Sequence, residues 1–230
     1  MKIRTTSLLF LFFSFSILAQ NTKTGILLGK SSAIQPLLKG KTYRLQKEAY
    51  DALELMKKAA LKDGIRIQVI SAYRSFSHQN RIWKRKFLNF KKQGYSDKEA
   101  VKKVLEYTAL PGTSRHHWGT EIDIVDYYKK NPNDPLNNKK NSFKKWLDNH
   151  AHKFGFYLVY TNNKFRKGYK YESWHFSYRK LSNPLLKEYV KLDVYQILKN
   201  EKILGNQYFT KDFMDKQVEN FVLGINFYLF

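Results

Sequence analysis

The chain predicts an α+β fold: a small antiparallel sheet with helices packed on it, followed by a C-terminal helical extension. Two features predict it. The apolar period switches from helical to alternating at residue 65, as it does where a helix gives way to a strand. Two further β-rich runs, at 156–160 and 169–178, follow one another across a turn that begins at Asn162-Asn163, a connection suited to neighbouring strands. With 43% hydrophobic and 16% aromatic residues in 230, the chain can fill a core.

The elements follow in order. Leu45, Ala49, Leu53, Met56 and Ala60 recur at helical spacing and Gly64 ends the run, which predicts a helix over 45–62. Ile65, Ile67 and Val69 then alternate, predicting a strand over 65–72 that delivers Tyr73-Arg74-Ser75 at its carboxyl end. Ser77 can cap a helix at 78–92, ended by Gly94. Ser96-Asp97-Lys98-Glu99 is a capping box opening another helix to about Tyr107. Pro111-Gly112 breaks the chain into a loop, and Thr120–Val125 is a short strand. Residues 129–141 read as an exposed loop, and Ser142 caps a helix closed by Gly155. Beyond 184, Leu185, Tyr189, Leu192 and Ile197 suggest one helix and 211–223 a second, with the extension either packing back or meeting another chain.

Residues 1–19 read separately. Lys2 and Arg4 precede an apolar stretch from Ser7 to Leu18, with Ala19 as a small residue for cleavage. This is the pattern of a secretory signal peptide, too short for a membrane span. The expectation is an exported protein, periplasmic or extracellular after cleavage, with a catalytic domain over 20–183 and an extension over 184–230. No cysteine is present, so disulfides and a cysteine-linked lipid anchor are excluded. The formal charge of +23 favours an anionic partner. Export points to an anionic wall or membrane surface, and with no reading motif in the chain no nucleic acid is expected. A lysine-rich solvated surface explains the same charge.

Two segments about fifty residues apart carry chemistry: Ser114-Arg115-His116-His117-Trp118-Gly119-Thr120-Glu121-Ile122-Asp123 and Glu172-Ser173-Trp174-His175. Zinc in hydrolases takes three protein ligands and leaves a fourth position for water. His116, Asp123 and His175 can be the three ligands and Glu172 the base. A histidine and an aspartate seven residues apart are weak by themselves and fit equally a polar loop beside a surface acid. Gly119 lets the loop turn tightly into the strand. Glu172 and His175 lie three apart and would point to opposite faces of a regular strand, so irregular geometry is expected there. Trp174 is either a cleft wall or core packing.

The run from Ala109 to Asp123, with Glu172-Ser173-Trp174-His175, resembles the zinc D-alanyl-D-alanine carboxypeptidases of the VanY type, whose pattern is S-x-H-x-x-G, an Asp four residues on, then E-x-W-H. Ser71-Ala72-Tyr73-Arg74-Ser75-Phe76 with Gln79 is similar to the family's Y-R-S-[YF]-x-x-Q segment, and Trp146-Leu147 to Phe156 is similar to its helix-to-strand connection. The likeness covers roughly 45–180. It implies a fold of the hedgehog/D,D-peptidase type and Zn2+ on His116, Asp123 and His175. It also implies Glu172 as base and Arg74 on the substrate's terminal carboxylate or the developing oxyanion. Gln79, Ser114 and Trp174 would lie near the substrate, a peptidoglycan stem peptide. Where the family has a small residue two before the aspartate, this chain has Glu121, which either points outward or crowds the metal.

Other readings compete. His117 can stand in for its neighbour as a ligand, Glu121 for the base, and His150 with His152 forms a second metal-like pair, although histidine at a helix C-terminus is favourable anyway. His78 reads as surface or pocket rim. An L,D-carboxypeptidase, a cross-link endopeptidase and a non-catalytic wall-binding module are the alternatives in function.

Overall fold

The computed structural model describes residues 23–31, 37–39, 43–130 and 142–230. The expected signal peptide and most of the loop at 129–141 lie outside the described residues. The first strands, β1 (Leu37–Lys39) and β2 (Arg44–Gln46), form an antiparallel pair. Arg44–Gln46 is therefore strand, and helix α1 begins two residues later than the periodicity suggests, at Lys47–Lys62. Leu45 still points into the same core.

The main sheet contains β3 (Ile67–Ser71), β4 (Glu121–Asp126), β5 (Phe156–Leu158) and β6 (His175–Tyr178) in the order β3-β4-β6-β5, every neighbour antiparallel. Alternation gives it two unlike faces. Ile67, Val69, Ile122, Ile124, Phe156 and Phe176 pack on Ala49, Leu53, Met56 and Ala60 of α1. Trp146 and Leu147 of the helix Phe143–His150 close the same layer. Each large aliphatic or aromatic chain buried there contributes about 1.5–3 kcal/mol. The opposite face of β4 carries Glu121 and Asp123, and both are buried.

Between β3 and β4 run α2 (Phe76–Lys92) and α3 (Asp97–Leu105). Ser96 and Glu99 make the expected capping box on α3. The cap of α2 is Ser75, whose side chain accepts from the His78 amide; Ser77 lies in the first turn. The strand expected over 169–178 shortens to β6, because the Glu172 amide donates to the Tyr160 carbonyl and leaves the ladder. Glu172 therefore precedes the strand, and the opposite-face problem does not arise.

The C-terminal segment packs back. Helix α4 of the core layer is Phe143–His150; α5 (Arg179–Tyr189) spans the boundary expected at 183/184, and α6 (Val194–Leu198) starts anew because Asp193 caps it. The single helix suggested by Leu185 to Ile197 is thus two. Helix α7 (Lys211–Gln217) passes into a wider turn at Val218–Val222. Leu186, Tyr189, Leu198 and Phe209 join Trp83, Phe87 and Trp118 in one core cluster. Tyr189 donates its hydroxyl to the Gly112 carbonyl at 2.8 Å. Gly112 has φ of 88°, and a Cβ there would sit 2.9 Å from the Leu198 side chain. The extension thus braces the loop leading to His116. Leu198→Ala should lower unfolding free energy by about 2–5 kcal/mol, read by denaturant titration; an unchanged midpoint would mean the extension is an independent appendage.

Candidate metal centre

Backbone pairing assembles the centre. Asp123 on β4 and His175 on β6 are direct partners across the ladder, and Ser71 at the end of β3 pairs with Asp123 from the other side. His116 comes from the turn Arg115–Trp118, which Gly119 closes at φ 68°. Only glycine takes that left-handed geometry without strain. The turn is tied down where the Gln46 side chain donates to the Trp118 carbonyl at 2.7 Å and the Gln46 amide to the Gly119 carbonyl at 2.9 Å. As a result, one ligand atom from each of His116, Asp123 and His175 lies within 4.8 Å of the others.

The second nitrogen of each imidazole is occupied, which fixes the nitrogen left for a cation. His116 Nδ1 donates to the Ala72 carbonyl at 2.7 Å, leaving Nε2 at 3.4 Å from Asp123 Oδ1. His175 Nε2 donates to Glu121 Oε2 at 3.0 Å, leaving Nδ1 3.9 Å from the same aspartate oxygen. Asp123 Oδ2 is taken by the Arg74 guanidinium, while buried Oδ1 has no hydrogen-bond partner. An orphaned carboxylate oxygen is costly unless something cationic meets it. Two imidazole nitrogens and this oxygen fit a divalent cation of the zinc type, with the remaining side open to a cleft.

Burial opposes charge throughout the centre. It drives His116 below the ordinary histidine range, and the Arg74 cation adds to this. Burial also lowers His175, but hydrogen bonds to Glu121 and Glu172 outweigh it and lift His175 to about 9. Glu121 is raised by burial and lowered further by Arg115 and His175, reaching about 2.

The sequence-predicted residues take distinct places. Glu172 is buried at the cleft wall with Oε2 3.3 Å from His175 Nδ1. Arg74, Ser114 and Trp174 also line the cleft, which encloses about 710 Å³. That volume is in the range of a ligand site rather than an ion cavity. Arg74 is aimed by its Nε donating to Ser71 Oγ at 2.8 Å and by Gln79 Oε1 3.5 Å from Nη1. Gln79 is fully buried and donates to the Ala109 carbonyl at 2.8 Å. It is not among the residues that line the cleft and meets Arg74 rather than the open space.

Glu121 neither points outward nor crowds the ligands. Its Oε1 accepts from Ser177 Oγ at 2.6 Å, from Arg115 at 3.1 Å and from Thr120 at 3.1 Å. It is not among the residues that line the cleft, and its carboxylate is turned to Ser177, Arg115, Thr120 and His175 instead. Arg115 and Ser177 were not singled out from sequence; an arginine beside a motif histidine and a glutamate two before the motif aspartate were the available signals. His117 is no ligand: Nδ1 donates to the Arg74 carbonyl at 2.7 Å and Nε2 accepts from the Gly112 amide at 3.1 Å. His150 stacks on Trp146 and donates to its carbonyl at 2.9 Å. His78 stands on the cleft rim.

Fold and centre together define a class: an α+β domain with a His–Asp–His metal centre, a neighbouring glutamate and a cleft of peptide size. The model of the VanY D-alanyl-D-alanine carboxypeptidase family matches residues 42–181, and the chain belongs to that family. It is similar to a D-alanyl-D-alanine carboxypeptidase of Enterococcus faecalis, 32% identical over 121 residues, covering 52% of this chain and 42% of that protein. Among solved structures, VanYB in complex with D-alanine-D-alanine is 27% identical with a TM-score of 0.55, covering 75% of this chain and 92% of the other. A mutant of the vancomycin-resistance D,D-pentapeptidase VanY in complex with Zn(II) shares the fold at 24% identity and a TM-score of 0.55, over 78% and 92% of the two chains. The chain spans less than half the length of the curated relatives it matches.

Two outcomes follow from the geometry. Glu121→Gln should weaken metal affinity by about 10- to 100-fold, as loss of an outer carboxylate does, measured by chelator competition. In metal-free protein, stability should peak near pH 6.5. His175, raised to about 9, contributes stability that is complete below the usual 6.5 and lost as pH rises through 9. His117, lowered to about 4 by burial, is held neutral and costs stability as pH falls from 6.5 toward 4. A divalent cation held by His116, Asp123 and His175 would take the place of the proton on His175, so adding it should abolish the alkaline decline in a melting series.

Proposed function

We propose that this protein is a zinc-dependent peptidase that removes the terminal D-alanine of peptidoglycan stem peptides. The carrying observation is the placement of Glu172, on the cleft and 3.3 Å from the ligand nitrogen of His175. Family membership supports the substrate class, and the donor set supports zinc, which a relative of the same fold also holds. When bound, the ion supplies Lewis-acid polarisation and acidifies water.

The chain supplies the rest. Glu172 takes the proton of the attacking water and returns it to the leaving amine. Arg74, held by Ser71, Gln79 and Asp123, presents its remaining donors to the developing oxyanion or the terminal carboxylate. Trp174 and Tyr160 wall the site, the Tyr160 ring standing edge-on to His175 at 5.1 Å. We further propose that the protein is exported, on the support of Lys2, Arg4 and the apolar run from Ser7 to Leu18.

Glu172→Ala should keep stoichiometric zinc by elemental analysis and lose about 100- to 10,000-fold in turnover of a stem pentapeptide, followed by mass spectrometry of products. Normal turnover would remove the base assignment. Amidating the peptide's terminal carboxylate should abolish cleavage; unchanged cleavage identifies an endopeptidase, and release of the last residue only from tetrapeptides an L,D-carboxypeptidase.

A further inference from the structure

One wall of the cleft carries more positive charge than a single substrate carboxylate uses. His78, Ile82, Arg85 and Lys86 all line it from α2, at the spacing of one helical face. Lys86 is half-buried, its Nζ donating to Thr108 Oγ1 at 2.5 Å. Thr108 is itself buried and lines the same cleft. Among the described residues neither Arg85 nor Lys86 joins a salt bridge, while Arg74 is committed to Asp123. The other acid on the cleft, Glu172, rests against His175. Burial pushes the Lys86 amine below the usual lysine range, the Arg74 charge adds to this, and Glu172 opposes it. Lys86, Arg74 and Glu172 line the same cleft. A half-desolvated ammonium with a single neutral partner leaves donors unused, and a carboxylate is the group that satisfies them best.

We propose that Lys86, with Thr108 beside it and Arg85 at the rim, forms an anion subsite for a second carboxylate of the peptide substrate, distinct from the terminal one. The subsite rests on the peptidase reading above. It selects a stem peptide that carries a free side-chain carboxylate upstream of the scissile bond over the same peptide with that group as a carboxamide. Lys86 sets specificity; Glu172 remains the base.

The test uses the full zinc-loaded chain and two synthetic pentapeptides ending in D-alanyl-D-alanine, identical except for a carboxylate or a carboxamide on the third side chain. Wild type should favour the carboxylate peptide by about 10- to 100-fold in kcat/KM, the range of a charge-assisted hydrogen bond, with the difference in KM. Lys86→Met should bring the ratio to about 1, Lys86→Gln should do the same, and Lys86→Arg should restore part of it. Equal use of both peptides by wild type overturns the subsite. So does a Lys86→Met protein slowed equally on both, which would make the lysine a tie between α2 and Thr108. Calorimetric binding of the two peptides to Glu172→Ala separates the claims: a carboxylate preference that vanishes with Lys86→Met supports the subsite even where wild type hydrolyses neither peptide, and equal affinities there overturn it.

Discussion

The pairing of β4 with β6 governs the rest of the structure. One register places Asp123 opposite His175 and Glu121 opposite Ser177. The first pair supplies two of the three side chains that could hold a metal ion, and the second places the carboxylate that accepts from the His175 ring. A slip of one residue would send Glu121 and Asp123 into the apolar layer on α1 and put Ile122 and Ile124 on the polar face. The packing that stabilises the sheet is therefore the same packing that selects the register of the centre. Ile122, Ile124 and Phe176, buried against Leu53 and Met56, act on the metal site without touching it.

Most of the fold was legible because its signals are local. The period change after Gly64, the capping box at Ser96 and the Ser142 cap each involve residues within a few positions of one another. The meeting of His116, Asp123 and His175 was legible for another reason: zinc chemistry restricts residue type, and three ordered motifs restrict position. What failed depends on distant chain. The start of α1 moved because β1 pairs with Arg44–Gln46. Ser75 rather than Ser77 caps α2, a choice between two serines that local sequence does not resolve. The late strand shortened because Glu172 answers to the Tyr160 carbonyl. The extension was opaque because its buried residues match Trp83, Phe87 and Trp118, more than sixty positions away, and no periodicity records a partner.

Glu121 shows how a departure from a family pattern can be read only with its neighbours. Taken alone, a carboxylate two residues before a metal ligand is a hazard. In the structure it is 0% exposed and meets Arg115, Ser177, Thr120 and His175. Burying that charge unpaired would cost several kcal/mol, and the arginine six residues earlier and His175 together offset it. Arg115 in turn has two buried nitrogens without acceptors and rests its guanidinium on the Trp118 ring at 4.6 Å, an interaction worth about 2 kcal/mol when desolvated. Glu121 and Arg115 are thus one device.

That device also explains the difference between the two imidazoles. His116 faces a neutral carbonyl at Ala72, which fixes its ring without adding charge. His175 faces a full carboxylate, which makes its free nitrogen the more basic of the two. The centre is therefore graded: one neutral-backed histidine, one carboxylate-backed histidine, and an aspartate whose second oxygen is drawn off by Arg74. Arg74 withdraws electron density from one ligand while Glu121 supplies it to another. Arg74 also lines the cleft, so the side chain that meets Asp123 is open to the same space as Glu172 and Trp174. The sheet register, which sets Ser71 and His175 on either side of Asp123, holds this arginine and the candidate ligands in one frame.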